Sequence, residues 1–449
     1  MSAMSVQEET SPWRRLWASV PRAALGNLLA KLVIVALGLA ITVLVARQGP
    51  RVQGAFALFV AVEAGLLTLF SGLGLWLARQ VSRQQAGEPG ATLPLLRSVL
   101  RAAVGLGLVA ALVLLAVSWW ADTLPYAQLW LLALAAPFLL LVPTATGLWI
   151  GQGRMWPLNL AQVAAPASVL SGLAVVWWLM QDVAWKTPTA VLVLTAWVSG
   201  KSLVAVLTAI YALHDSARHD EERAPASLVF QGQRPRWWME WGFVATIGIT
   251  NVISLLNYRA SLFLVEHYHG LAVVGTYSVA VTVAELLWLL SSSVTVSAYS
   301  RIGHPDKAVS AAMTVQAVRI NVLSTLVAAP LLLAGAWWAV PRVMGEAYVA
   351  SVEPLAWLLP GVAAYAAASS LSAFYTNHLG KPQLSGMVAS LSLLISVSVA
   401  LALVPTMGAV GAAIGSSAGY ILAIVVAYAV FLRHAGLPLR ALWARGAHV

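Results

Sequence analysis

Cysteine is absent from the 449-residue chain, and charged residues make up only 9% of it. Without cysteine the chain forms no disulfide and offers no thiolate for zinc, iron–sulfur clusters or nucleophilic catalysis. A soluble domain of ordinary composition carries about 25% charged residues. Hydrophobic residues make up 60% of this chain, and its mean hydropathy is +0.83. The composition therefore excludes a soluble enzyme and a disordered chain, and it predicts a membrane protein.

Motifs for nucleotides, metals and nucleic acids are also missing. The run from Gly200 to Ser202 resembles the end of a phosphate-binding loop, but Thr195 stands where that loop needs its first glycine. The histidines lack the spacing of zinc ligands on one helix face. The net charge of +10 comes without a basic domain, so it fits basic loops beside a membrane better than nucleic-acid binding. We predict no cofactor, no metal, no nucleic-acid partner and no enzymatic activity.

Long apolar runs recur through the whole chain. A helix that crosses a bilayer needs about 20 mainly apolar residues. Runs of this kind lie near 24–45, 55–78, 102–120, 127–148, 160–180, 190–213, 241–264, 272–298, 318–340, 354–378, 384–404 and 409–432. These runs are apolar on all faces, unlike the alternating strands of a membrane barrel. The predicted fold class is therefore an all-α polytopic membrane protein with about twelve transmembrane helices.

Basic residues fall mostly on one side of this arrangement. If the N-terminus is cytoplasmic, the cytoplasmic side receives Arg14, Arg15, Arg22, Arg79, Arg83, Arg97, Arg101, Arg154, Arg218, Arg223, Arg234, Arg236, Arg301, Lys307, Lys381, Arg433, Arg440 and Arg445. The opposite side receives only Arg47, Arg51, Lys186 and Arg342. Because Lys and Arg concentrate in cytoplasmic loops, we predict that both termini are cytoplasmic.

A charged segment at residues 214–240 divides the apolar runs into two sets of six. We interpret it as a solvated linker rather than a metal or partner site. The predicted organisation is a cytoplasmic tail at 1–23, an N-terminal six-helix lobe at 24–213, the linker at 214–240, a C-terminal six-helix lobe at 241–432 and a cytoplasmic tail at 433–449.

Glycines repeat at equal spacing in the two halves. Segments 49–56 and 270–277 each carry glycine at the first and sixth positions and an aromatic residue at the eighth. Gly153 and Gly380 form a second echo at the cytoplasmic end of the fourth helix of each half. Six helices per half give both halves the same orientation, which predicts a parallel pseudo-two-fold repeat with a substrate site between the halves.

The same segments resemble those of bacterial polysaccharide flippases. Residues 46–58 are similar to the family's "AR-x-x-G-x-x-x-x-G-x-[FY]" stretch between helices 1 and 2, and residues 71–79 to its end of helix 2. Residues 273–280 resemble its "VGxYSxA" stretch at helix 8, and residues 380–381 and 408–413 resemble its small-residue segments around helices 11 and 12. This sequence has Asn257-Tyr258-Arg259 where many members carry an acidic residue in helix 7.

The resemblance implies the multidrug/oligosaccharidyl-lipid/polysaccharide (MOP) transporter superfamily, with a MATE-like fold of two bundles. It implies a flippase that moves a polyprenyl-pyrophosphate-linked oligosaccharide across the bacterial inner membrane by alternating access, for cell-surface or exopolysaccharide synthesis. The expected partners are the lipid-linked oligosaccharide, membrane lipids, a proton or sodium ion, and a polysaccharide polymerase or glycosyltransferases. Two alternatives stay open: a cation-coupled multidrug exporter of the same superfamily, and a non-transporting membrane scaffold for glycan-assembly enzymes.

Charged residues inside predicted spans are the first candidates for a transport site, because charge is costly at membrane depth. They are Lys31, Glu63, Lys201, Arg259 and Glu285, in helices 1, 2, 6, 7 and 8. One interpretation makes the three cations a cavity wall for pyrophosphate, which an arginine can bind with two N–H groups. The other pairs Lys31 and Arg259 internally with Glu63 and Glu285. The two carboxylates are also candidates for carrying a coupling proton.

Uncharged polar residues extend the candidate wall. They are Asn27, Asn251, Asn257, Tyr258 and Asn377. Each can hydrogen-bond a sugar hydroxyl, or it can tie two helices together. The run Ser291–Ser293 and the pair Gly411 and Gly415 predict close packing of helices.

Overall fold

A computed structural model describes residues 22–86, 91–182, 189–223 and 240–438. The elements in these ranges are helical, and ten helices of the described residues are long and apolar enough to cross a membrane. The molecule is therefore an all-helical membrane bundle, in agreement with the composition. The predicted N-terminal tail up to residue 21, Lys186, residues 224–239 of the linker and residues 439–449 lie outside the described residues.

The N-terminal half contains helices α1 to α8. Their bounds are Arg22–Ala46 (α1), Pro50–Leu69 (α2), Ser71–Gln85 (α3), Thr92–Trp120 (α4), Leu129–Leu139 (α5), Leu141–Gln152 (α6), Met155–Asp182 (α7) and Thr189–Arg223 (α8). A 3₁₀ turn, Tyr126–Gln128, precedes α5. The helices α2 and α3 together make one candidate span, and α5 and α6 make another. Since α8 continues to Arg223, the first part of the predicted linker is helical.

The C-terminal half contains helices α9 to α14. Their bounds are Trp241–Glu285 (α9), Leu287–Ile302 (α10), Lys307–Met344 (α11), Val352–Tyr365 (α12), Ala368–Ala373 (α13) and Gln383–Ala435 (α14). A 3₁₀ turn, Glu346–Ser351, precedes α12, and a single π turn, Phe374–His378, follows α13.

Two of the candidate spans are too long to cross a membrane once. A straight helix of 45 residues, the length of α9, would measure about 68 Å, roughly twice the hydrocarbon core. Gly270 interrupts α9 with φ 75° and ψ 179°, and Gly408 interrupts α14 with φ 56° and ψ −128°. Glycine tolerates positive φ because it has no Cβ atom. Each of these elements is therefore a pair of helical segments joined at a glycine.

The glycine repeat found in the sequence has a counterpart in the backbone. Gly49, which precedes α2, also has positive φ, 107°, so it corresponds to Gly270 in conformation as well as in spacing. A Cβ on Gly54 would lie 1.9 Å from the carbonyl oxygen of Leu271, and one on Gly275 would lie 2.0 Å from that of Pro50. The contact is reciprocal, as expected where two equivalent helices meet at a pseudo-two-fold axis. Larger side chains at either glycine would separate the halves.

Apolar side chains both fill the interior and cover the outside. One large buried cluster lies mainly in the C-terminal half, and two smaller clusters lie in the N-terminal half. Leu112 and Leu331 are 68% and 72% exposed, which suits a surface that faces lipid. The tryptophan pairs at 119–120, 177–178 and 337–338 are exposed at the ends of their helices, where indole rings favour the headgroup layer.

Candidate functional site

A cavity of about 650 Å³ lies between the two halves. Helices α1, α2, α7 and α8 form its N-terminal wall, and α9 and α10 form its C-terminal wall. Most of the lining is apolar, and its charged residues are Lys201, Arg259 and Glu285. We call it the central cavity. Three of the charged residues singled out in the sequence thus reach one space.

The N-terminal wall carries a buried ion pair. The Nζ atom of Lys201 lies 2.5 Å from Oε1 of Glu63, and Nε1 of Trp197 donates to the other carboxylate oxygen at 2.5 Å. Trp197 and Lys201 are one turn apart on α8, so both point to the same side of the helix, and the Lys201 ammonium lies 4.3 Å from the centroid of the indole ring. Glu63 is 1% exposed. The Glu63 carboxylate is therefore shielded from the cavity, and Lys201 is the charged side chain of this wall that lines it.

The C-terminal wall carries a more open ion pair. Two guanidinium nitrogens of Arg259 donate to the two carboxylate oxygens of Glu285, at 2.7 and 3.1 Å. Their side chains are 29% and 26% exposed, and both line the central cavity. Parallel N–H···O bonds of this kind fix both geometry and charge. Of the two arrangements weighed for Arg259 from the sequence, the structure contains the internal pair while leaving the guanidinium at the cavity surface.

The two residues predicted on the first helix, Asn27 and Lys31, do not line the central cavity. Lys31 is exposed on α1 and makes no ion pair with the residues that the structure describes. Asn27, one turn earlier, does not line the cavity either. Glu63 pairs with Lys201 rather than with Lys31. The structure thus separates Lys31 from the other four charged candidates.

The remaining polar candidates tie helices together. Asn251 donates to Ser71 at 3.0 Å across the two halves, whereas Asn257 donates to Tyr365 at 3.3 Å inside the C-terminal half. Asn377 accepts a hydrogen bond from Tyr299 at 3.1 Å. Tyr258 packs against Trp288, with ring centroids 5.0 Å apart. None of these four residues is among the described residues that line the central cavity.

Sequence reasoning missed several residues of the cavity. Gln53 lines it, and its side-chain amide donates to Ser278 of the other half at 3.2 Å. Trp197 and Trp288 also line it. Gln53 lies one turn into α2, a mainly apolar helix that also carries Arg51 and Glu63, and Trp197 lies one turn before Lys201. A search for polar groups one helical turn from each buried charge would have found Trp197.

The halves are joined at the end of the bundle that carries Gly49, Gly270 and Gly345. Nε of Arg47 donates to the carbonyl oxygen of Val343 at 2.9 Å, and the Tyr348 hydroxyl donates to that of Ala46 at 3.0 Å. Tyr126 donates to Glu266 at 3.1 Å on another side of the bundle. With the reciprocal glycine contact, these bonds close the cavity at this end.

At the other end, where α8 ends and α9 begins, the two seams between the halves differ. Helix α3 packs on the start of α9, where Arg79 lies 3.3 Å from Glu240. A Cβ on Gly72 would lie 2.3 Å from the carbonyl oxygen of Val244. By the repeat, the equivalent seam is that between α10 and α1, and the described residues form no comparable packing there. One seam is therefore closed and the opposite one is open.

Within the described ranges, no group of three or more His, Asp or Glu residues is arranged to hold a metal ion. The central cavity is lined by the polar side chains of Thr42, Gln53, Lys201, Arg259, Ser278, Thr282 and Glu285 and by the indoles of Trp197 and Trp288.

No family model and no curated protein matches the sequence. Solved structures do match: an inward-facing multidrug-resistance MATE family transporter of the MOP superfamily, at 16% identity and TM-score 0.72, covers 89% of this chain and 94% of its own. The lipid II flippase MurJ, inward closed, matches at 14% identity and TM-score 0.71, over 92% and 88%. A MOP superfamily transporter from Pyrococcus furiosus, whose binding pocket is described as of reverse polarity, matches at 17% and 0.65, over 94% and 95%. At these identities the likeness concerns the fold, and the chain has the fold of the MOP superfamily transporters.

Proposed function

We propose that this protein is a flippase that moves a polyprenyl-pyrophosphate-linked oligosaccharide across the bacterial inner membrane by alternating access. The observation that carries the proposal is the central cavity, in which Lys201 and Arg259 approach from opposite halves across an otherwise apolar lining. Such a space suits an amphipathic cargo whose head is anionic. The proposal includes a role in cell-surface or exopolysaccharide synthesis.

The two cations differ in how they could bind phosphate oxygens. Lys201 offers a single ammonium, held from behind by Glu63. Arg259 has a planar guanidinium group, which already makes two parallel hydrogen bonds to the Glu285 carboxylate. A phosphate group can accept hydrogen bonds in the same geometry. We expect the pyrophosphate to take the place of Glu285 at Arg259. The carboxylate released in this way is a candidate to take up the coupling proton or a sodium ion.

The open seam between α1 and α10 supports a lipid cargo. A polyprenyl tail must stay in the bilayer while the head group is inside the protein, so the cavity needs a lateral opening. With cytoplasmic termini the open seam lies toward the cytoplasmic leaflet, where the cargo would enter. The closed end, with Arg47 bound to Val343, then faces outward.

The repeat supports a rocking mechanism. Counting the segments on either side of Gly270 and Gly408 separately divides the ten candidate spans into twelve, six in each half. We propose that the lobes at 24–213 and 241–432 are the two moving bodies, with the reciprocal contact of Gly54 and Gly275 at their axis. Alternating access in inverted or parallel repeats takes place around a site at such an interface.

A cation-coupled multidrug exporter is the second candidate. The observation that favours it is Glu285, which lines the same cavity beside the indole ring of Trp288. A carboxylate and an aromatic face together attract an organic cation. In this case Glu285 would bind the drug, and Arg259 would be its competitor.

Transport in proteoliposomes tests the two functions side by side. One set of vesicles carries a polyprenyl-pyrophosphate-linked sugar, whose arrival in the outer leaflet is read with an impermeant lectin, and a second set carries a cationic dye. Both sets are measured with and without proton and sodium gradients.

We expect lipid transfer by the wild type that Arg259→Gln lowers by about tenfold, the equivalent of one charge-assisted hydrogen bond. Arg342→Gln, at an exposed arginine outside the central cavity, is the matched control and should transfer at the wild-type rate. No lipid transfer above that of empty vesicles under any gradient would overturn the flippase proposal. Gradient-driven dye export without lipid transfer would establish the exporter instead.

A further inference from the structure

A second cavity, of about 360 Å³, lies within the C-terminal half. It is formed by α9, α10, the α12–α13 region and both segments of α14. The central cavity and this one share one lining residue, Trp288. We call it the serine cavity, because its lining includes Ser254, Ser291, Ser292, Ser369, Ser372 and Ser385. Its size is within the range of small-molecule sites.

Five of the six serines, all except Ser372, donate their hydroxyl hydrogen within the protein. Ser254 donates to the carbonyl oxygen of Thr250 at 3.1 Å, and Ser292 donates to that of Leu289 at 3.0 Å. Ser385 donates to Ser372 at 2.9 Å. A hydroxyl has one hydrogen and two lone pairs, so once the hydrogen is used its lone pairs remain to accept bonds. The lining therefore favours a ligand with many O–H donors.

Aromatic rings form the other part of the lining. Trp288 and Tyr258 meet with centroids 5.0 Å apart, and Tyr258 and Tyr365 with centroids 6.1 Å apart. The Nε1 group of Trp288 is buried and has no hydrogen-bond partner among the described residues. This N–H group is enclosed by protein, so the part of Trp288 that is available to a ligand is its ring. A ligand with an apolar ring face would pack against these aromatic side chains.

The charge of the two cavities differs. None of the residues described as lining the serine cavity is charged, whereas Lys201, Arg259 and Glu285 line the central cavity. An anion would find no cation in the serine cavity, and a metal ion would find no carboxylate, the ligand that hard cations prefer. Hydroxyl acceptors and aromatic faces instead match a neutral sugar ring.

We propose that the serine cavity binds a neutral hexose unit of the cargo. The inference rests on the proposed function, in which the pyrophosphate lies at Arg259 in the central cavity, and the sugar then extends past Trp288 into the C-terminal half. In this arrangement the central cavity binds the pyrophosphate, which every polyprenyl-pyrophosphate cargo carries. The serine cavity binds the sugar and distinguishes one glycan from another.

A phosphate-free lipid pair tests the serine cavity by itself. The protein in lipid nanodiscs is offered monoglucosyl diacylglycerol and diacylglycerol, and native mass spectrometry measures the ratio in which each is retained. The variants are Ser292→Ala with Ser372→Ala, and separately Trp288→Leu. The control is Ser293→Ala with Ser297→Ala, two exposed serines of α10 that do not line the serine cavity. Alanine keeps the helix intact in both double variants.

We expect the wild type and the control to retain the glucolipid about tenfold better, and both serine-cavity variants to lose most of that preference. Equal retention of the two lipids by the wild type, or a preference that survives in both variants, would overturn the inference. So would a sodium-dependent thermal shift, without a sugar preference, that the serine variant abolishes. Because neither lipid contains phosphate, the result is independent of pyrophosphate binding. Failure of the flippase proposal would show separately, as absent polyprenyl-pyrophosphate transfer.

Discussion

Each wall of the central cavity carries an ion pair between a basic and an acidic side chain, and the two pairs differ in how far they are exposed to the cavity. On the N-terminal wall, Glu63 is 1% exposed and bound by both Lys201 and Trp197. On the C-terminal wall, Arg259 and Glu285 are each about a quarter exposed. A sealed pair contributes to the structure whether or not cargo is present. An open pair can exchange partners, so under the proposed function we expect the first pair to support the structure and the second pair to bind cargo.

Glu63→Gln should have the largest effect on stability. It removes the carboxylate and leaves the Lys201 ammonium in a low-dielectric wall, and breaking a buried pair in this way costs about 3–5 kcal/mol. We expect a loss of about 3 kcal/mol, at the lower end, because Lys201 is 22% exposed to the cavity. The free energy of unfolding in mixed detergent and denaturant measures it. A loss no larger than that of Glu285→Gln would remove the distinction between the walls.

Trp197→Phe should have an intermediate effect. The substitution deletes the N–H group that donates to Glu63 while keeping a ring against Phe56. Losing one hydrogen bond to a charged group costs about 1.5–3 kcal/mol. Trp288→Phe is the matched control, because its indole N–H has no hydrogen-bond partner to lose within the part of the chain that the structure describes. Equal destabilisation by the two substitutions, in the same unfolding measurement, would contradict the idea that Trp197 seals the N-terminal pair.

Glu285→Gln should have the smallest effect on stability and the clearest effect on binding. The pair is accessible from the cavity but bidentate, so we expect a loss of about 1 kcal/mol, the upper end of the range for exposed pairs, and the protein should stay folded. Removing the carboxylate frees Arg259 from its competitor, and we expect tighter binding of a polyprenyl pyrophosphate, measured as retention in nanodiscs. Weaker binding of that lipid would contradict the proposed exchange of partners. Loss of dye binding alone would favour the exporter.

The sequence predicted part of the site, and the reason for the rest is geometric. The cost of charge in lipid identified Glu63, Lys201, Arg259 and Glu285, and all four lie in the two ion pairs of the cavity walls. The same criterion selected Lys31, which is exposed on α1. Depth along a helix can be counted from residues, but the direction in which a side chain points depends on how the helix is rotated against its neighbours.

The two seams between the halves also could not be distinguished from the sequence. Equal glycine spacing indicated two equivalent halves, and the reciprocal contact of Gly54 and Gly275 has the form that such halves produce. A repeat in sequence implies symmetry, yet α3 packs on α9 while α10 and α1 do not pack in the same way among the described residues. Under the proposed alternating access each conformation is asymmetric, and the sequence of the repeat does not determine which seam opens.

Hydropathy and the cost of charge are properties of short stretches of chain, so the sequence by itself determined that this is an all-helical membrane protein with glycines repeated in two halves. It also identified the four charges that form ion pairs in the cavity walls, but it selected Lys31 with them. Only the tertiary structure decided that Glu63 takes Lys201 from α8, 138 residues away. Only the tertiary structure assembled serines from distant helices into one cavity beside Trp288. These choices depend on the rotation and packing of whole helices, because side chains far apart in the chain meet only after the helices have packed.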